Sequence, residues 1–113
     1  MLGIYLFVRT DLHMGKGKMA GQCCHAVQGL LLKNDIDIIH KYISDGSAKI
    51  VLKIPSEEEM INLIRICVSK GHVFDVVTDA GKTQIEPGSR TVLGIGIVDR
   101  DVIKKYVEKY KLM

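Results

Sequence analysis

The chain has 113 residues, 47% of them hydrophobic and 26% charged, and carries 16 Lys and Arg against 13 Asp and Glu. A chain of this length buries roughly two thirds of its unfolded surface, enough for one domain over residues 1–113 without disulfide or metal support. The composition excludes a disordered or fibrous chain, and a net charge of +3 permits an anionic partner without demanding one.

The opening MLGIYLFV is too short to span a membrane and lacks the pattern of a secretory leader. Its apolar, β-branched and aromatic run predicts a central strand over residues 3–9. A loop is expected over 11–17. Met19, Cys23, Ala26, Val27, Leu30 and Leu31 then recur at helical spacing, which predicts a helix over 18–33. A short helix over 35–44 follows the Asn34–Asp35 start signal. AKIVLKI, residues 48–54, is a strand stopped by Pro55. Ser56 and Glu59 fit a capping box, with Glu57, Glu58 and Glu59 at the positive end of the helix dipole. That helix runs to Lys70 and stops at Gly71. HVFDVVT, residues 72–78, and TVLGIGIV, residues 91–98, are the last two strands, and a helix closes the chain.

This order predicts an α/β three-layer sandwich, a mixed four-stranded sheet with helices on both faces. In the last strand, alternation puts Thr91, Leu93, Ile95 and Ile97 on one face. Val92, Gly94, Gly96 and Val98 share the other. Two glycines on one face leave room for a close neighbour, and the small Ala20 and Gly21 of the first helix are expected to fill it. The loop over 79–90 is longer than most connections, as functional loops often are.

Two stretches concentrate chemistry. In HMGKGKMAGQCCHA, residues 13–26, Gly15, Gly17 and Ala20 fit G-x-G-x-x-A. The second strand, however, ends in Lys53–Ile54–Pro55 without the ribose-binding acid of a dinucleotide site. A phosphate loop also fails, since it needs Gly at 12 and Ser or Thr at 19. What remains is a helix start with Lys16 and Lys18 beside free backbone N–H groups, which suits a phosphate or an oxyanion. A solvated loop fits the same residues. Lys18, Gln22 and His25 fall at i, i+4 and i+7 on one helical stripe. Ester hydrolysis needs a group to position or deprotonate water, a role open to His25. It also needs a donor to the developing oxyanion, open to Lys18 or Gln22. A structural histidine is the alternative.

Cys24, His25, Cys67 and His72 match no zinc spacing, so no metal or other cofactor is expected. The three cysteines, two of them adjacent, make a poor disulfide framework and suit the cytoplasm. At helical apolar positions they read as buried thiols. The second stretch is TDAGKTQIEPGSRTVLGIG, residues 78–96. Asp79 stands where a strand ends, and Thr83, Gln84 and Thr91 add amide and hydroxyl groups. An Asp and a Thr that only cap a turn would look the same.

Taken together, KGKMAGQCCHA and TDAGKTQIEPGSRTVLGIG resemble the peptidyl-tRNA hydrolase family of the archaeal and eukaryotic type. The similarity covers essentially the whole chain. It implies metal-independent cleavage of the ester between a peptide and the terminal ribose of tRNA, a homodimer, and a site at Lys18, Gln22, His25, Asp79, Thr83 and Thr91. On this resemblance Lys18 faces the oxyanion or a phosphate, while Asp79 and His25 handle the water. Gln22, Thr83 and Thr91 hold the network or the ribose. Lys16, Gly17, Lys82 and Gln84 are expected to bind substrate. Gly21, Lys82 and Ile97 stand where the family usually has Ala, Arg and Pro. A non-catalytic RNA- or protein-binding module on the same fold is the alternative.

Overall fold

The computed structural model describes residues 1–79 and 88–113. In chain order the elements are β1 (Leu2–Arg9), α1 (Lys16–Lys33), α2 (Ile36–Ser44), β2 (Ala48–Ile54), α3 (Glu57–Lys70), β3 (Phe74–Thr78), β4 (Arg90–Asp99) and α4 (Arg100–Val107). The strands lie in the order β2-β1-β4-β3. β1 is parallel to β2 and antiparallel to β4, and β3 is antiparallel to β4. The expected mixed four-stranded sheet is therefore present. Every residue of β1 is buried, which explains a run without polar alternation in a strand covered on both faces.

Two apolar clusters, one on each face, make the three layers. On one face, Met60, Leu63 and Cys67 of α3 and Ile103 and Val107 of α4 meet Phe7, Ile54, Leu93 and Ile95. On the other, Ala26 and Leu30 of α1 and Tyr42 of α2 meet Ile4, Leu6, Val8 and Val92. Helix boundaries follow local chemistry. Ser56 Oγ accepts from the Glu59 N–H at 3.2 Å. The Glu59 carboxylate does not complete the box; it accepts from the Tyr110 hydroxyl at 3.2 Å. Gly71, at φ +73°, ends α3 in the left-handed conformation that lacks a Cβ penalty.

Three expectations about α1 and β4 need correction. First, α1 begins at Lys16, so Lys16 and Gly17 belong to its first turn and not to a loop. Gly15 serves as a cap without a side chain, a role glycine tolerates well. Second, α1 does press on Gly94, but through other residues than Ala20 and Gly21, which are exposed. A Cβ on Gly94 would stand 2.9 Å from Leu30 Cδ1 and 3.3 Å from Ala26 Cβ. Third, the strict alternation of β4 breaks. Gly3 pairs with Val98 but Tyr5 pairs with Ile95, so Gly96 and Ile97 together oppose Ile4. This bulge moves Ile97 to the α1 face and Val98 to the α3 face. Gly96 sits there at φ +146°, with the Gly3 carbonyl 2.9 Å from where a Cβ would be, so no other residue fits.

The cysteines also divide. Cys67 is buried, Cys23 is half-buried, and Cys24 is exposed, contrary to the expectation of three buried thiols. Cys24 lies one helical step beyond the apolar stripe, so α1 turns it to solvent.

Gly94→Val should destabilise the fold by about 1–3 kcal/mol through overpacking against Leu30, measured by urea denaturation; an unchanged midpoint would contradict this seat for α1. Thiol labelling offers an independent check. Burial pushes the Cys67 thiol up to about 11, so it stays protonated near neutral pH and unreactive. Iodoacetamide at about pH 8 should modify Cys24 in the native protein and Cys67 only after unfolding. Equal labelling rates, read by peptide mass, would refute that assignment.

Candidate functional site

The α1 seat on β4 carries the helix's polar stripe to the end of the sheet where β3 stops and β4 starts. Asp79 directly follows β3. Its main chain is fixed by two hydrogen bonds, from Asp79 N–H to the Ser89 carbonyl at 2.8 Å and from Gly88 N–H to the Asp79 carbonyl at 3.1 Å. Its side chain has no solvent exposure, and Lys18 Nζ, on a side chain 21% exposed, donates to Asp79 Oδ1. A buried carboxylate needs such a partner, since an isolated charge there would cost several kcal/mol.

One turn further along α1, the buried Gln22 donates from Nε2 to Thr91 Oγ1 at 2.9 Å. The Thr91 hydroxyl in turn donates to the Val77 carbonyl at 3.0 Å. This chain of bonds fixes the direction of the hydroxyl proton, and its lone pair is what the Gln22 amide meets. Thr91 reaches Gln22 because of a second irregularity. Val77 pairs with Val92 but Thr78 pairs with Arg90, leaving Thr91 without a partner in the ladder. Simple alternation would have put it with Leu93.

His25 is exposed one turn beyond Gln22. With Lys18 and Gln22 it lines a cavity of about 460 Å³ whose other wall is β3 from Asp75 to Thr78. Lys16 and Gly17 are exposed in the first turn of α1, where no acidic residue lies. Their N–H groups and that of Lys18 stand at the positive end of the helix dipole. The structure therefore brings Lys18, Gln22, His25, Asp79 and Thr91 together, with Lys16 and Gly17 at the rim. Lys82, Thr83 and Gln84 lie outside the described residues. Among the described residues no group of His, Cys, Asp or Glu has the arrangement of a metal site.

Sequence reasoning overlooked an ionic cluster beside this site. Arg9 is buried at the end of β1. It donates to Asp11 from Nε at 3.0 Å and from Nη2 at 2.7 Å, and its Nη1 donates to the Arg90 carbonyl at 3.1 Å. Glu57 faces both Arg9 and Arg90, at 3.4 and 3.6 Å. Hydrogen bonding to Arg9 holds the Asp11 carboxyl below its ordinary value, and the same bond raises the Arg9 guanidinium. The cluster ties the segment before α1, the start of α3 and the residue before Thr91. The available signal was an arginine closing an apolar strand with an aspartate two positions on.

The family model described as peptidyl-tRNA hydrolase PTH2 matches residues 2–113. The chain is 42% identical over 111 residues to the peptidyl-tRNA hydrolase of Methanococcus vannielii, covering 96% of both chains. It is 37% identical over 109 residues to that of Thermoplasma acidophilum, covering 94% of this chain and 93% of the relative. It is also 41% identical over 110 residues to the human peptidyl-tRNA hydrolase 2, mitochondrial, covering 95% of this chain and 62% of that one.

Thr91→Val keeps the shape of the side chain but removes the hydroxyl. The Gln22 amide and the Val77 carbonyl then lose their shared partner, which should cost about 1–3 kcal/mol. Chemical denaturation checks this, and a variant as stable as the parent would contradict the bonding described.

Proposed function

The chain belongs to the peptidyl-tRNA hydrolase PTH2 family, and from that membership we propose that it cleaves the ester joining a peptide to the 3′-terminal ribose of tRNA. The observation that carries the proposal at the level of residues is the Lys18–Asp79 ion pair standing beside the Gln22–Thr91 hydrogen bond at the wall of one cavity.

Each group has a chemical role in this reading. The Lys18 ammonium, held by a buried carboxylate, is a fixed positive charge for the oxyanion that develops as water attacks the ester carbonyl. A preorganised charge stabilises that transition state without moving. Asp79 and His25 orient the water and take its proton; the exposed imidazole can exchange that proton with solvent. Gln22 and Thr91 keep α1 and β4 in register and present polar groups to the terminal ribose, with Thr83 as their companion. Lys16 and Gly17 at the start of α1, with Lys82 and Gln84, meet the phosphates of the tRNA end. Catalysis without a metal or other cofactor, a cytoplasmic location and homodimerisation are parts of the same proposal. Among the described residues no helix is long and apolar enough to cross a membrane.

Release of free tRNA from an N-acetylated aminoacyl-tRNA tests the reading. Wild-type turnover should survive EDTA, and folded Asp79→Asn should lose on the order of a hundredfold or more in kcat. His25→Ala ranks the second group by the same assay. A folded wild-type chain that binds tRNA without turnover would instead establish the non-catalytic binding module.

A further inference from the structure

The two edges of the sheet differ. The outer edge of β2 is covered by residues 111–113, through Lys53 N–H to the Lys111 carbonyl at 2.8 Å and Met113 N–H to the Val51 carbonyl at 3.0 Å. Such a cover blocks pairing with another chain. The other edge is β3, and its ladder can be read residue by residue. The Val73 carbonyl accepts from Gly96 N–H at 3.0 Å, and the Val77 carbonyl accepts from the Thr91 hydroxyl at 3.0 Å. The odd-numbered residues therefore direct their backbone groups to β4. Alternation in an antiparallel pair then turns the N–H and carbonyl of Phe74, Val76 and Thr78 outward. Lys33 Nζ takes the Phe74 carbonyl at 2.8 Å. Val76 and Thr78 keep outward backbone groups that no hydrogen bond from the other described residues occupies. They line the same cavity as Lys18, Gln22 and His25.

We infer that the peptide carried by the tRNA docks on the outer edge of β3 as an added strand, its backbone bonding to Val76 and Thr78. The inference rests on the proposed hydrolase activity and assigns the peptide half of its substrate. The occupant follows from position, because this edge runs into the site where the ester must lie. With its C-terminal ester at the Asp79 end, the peptide runs parallel to β3. The N–H groups of Val76 and Thr78 donate to peptide carbonyls, and their carbonyls accept from peptide N–H groups, as in other strand additions. Backbone groups are common to all peptides, so this mode serves a substrate whose side chains vary. Lys33 closes the edge at Phe74. The docked stretch is therefore short, about three residues at roughly 3.3 Å each.

The test keeps the protein and the tRNA constant and varies the peptide. N-acetylated aminoacyl-, dipeptidyl-, tripeptidyl- and tetrapeptidyl-tRNA of Gly and Ala are compared with a tetrapeptide N-methylated at its inner amides. KM should fall about tenfold from one residue to three and then level off, the scale expected of two or so added hydrogen bonds. N-methylation should return KM to that of the single residue while hydrolysis continues. Hydrolysis with a KM indifferent to length and methylation would overturn the inference and leave the activity standing. A KM that rises with enzyme concentration would place a second copy on this edge and also overturn it. No hydrolysis of any member, by protein that is folded, would overturn both.

Discussion

The site depends on how closely α1 can approach β4. A bare backbone at Gly94 lets Leu30 and Ala26 sit against the strand, so close that an added Cβ would force one of them to shift. Leu30 and Ala26 are fully buried there, so the helix is held by apolar contact along one stripe. The adjacent stripe then has nowhere to go but the end of the sheet. Lys18 meets Asp79 across 61 residues of sequence, and Gln22 meets Thr91 across 69. Steric permission at one glycine thus becomes a constellation of polar groups drawn from opposite halves of the chain.

Polar groups at that end are arranged so that burial is tolerated. The Asp79 carboxylate is met by an ammonium, and the Gln22 amide, Thr91 hydroxyl and Val77 carbonyl form one directed chain. Among the described residues no buried side-chain nitrogen or oxygen lacks a partner. Arg9 performs a similar service behind the site, binding Asp11 with two hydrogen bonds and the Arg90 carbonyl with a third. Groups held in this way do not need to reorganise when charge develops on a substrate. Among the described residues of the site, His25, Thr78 and the first turn of α1 face open solvent, where a large substrate must arrive.

Much of the architecture was legible because period and punctuation agree. Apolar runs gave the strands, the stripe from Met19 to Leu30 gave α1, and Ser56 and Gly71 marked the ends of α3 as observed. The candidate residues came from two dense motifs, and the fold gathers those that lie among the described residues. The rest was hidden for physical reasons. Alternation presumes an unbroken ladder, and the bulges at Gly96–Ile97 and at Thr91 reassign which face a side chain meets. A Gly-Lys run reads as loop, although it forms the first turn of α1. The Arg9 cluster joins residues from four separate segments, a relation that no local pattern carries. Capping of one sheet edge by residues 111–113 is likewise a tertiary fact.

In the proposed mechanism Lys18 and Asp79 act as one catalytic unit. A double-mutant cycle with Lys18→Met and Asp79→Asn, read as kcat/KM for an N-acetylated aminoacyl-tRNA, addresses it most directly. Because each group positions the other, the double variant should be little worse than either single one, a coupling of about 2 kcal/mol or more. Losses that add to within about 0.5 kcal/mol would mean that the two groups work independently and would contradict the account.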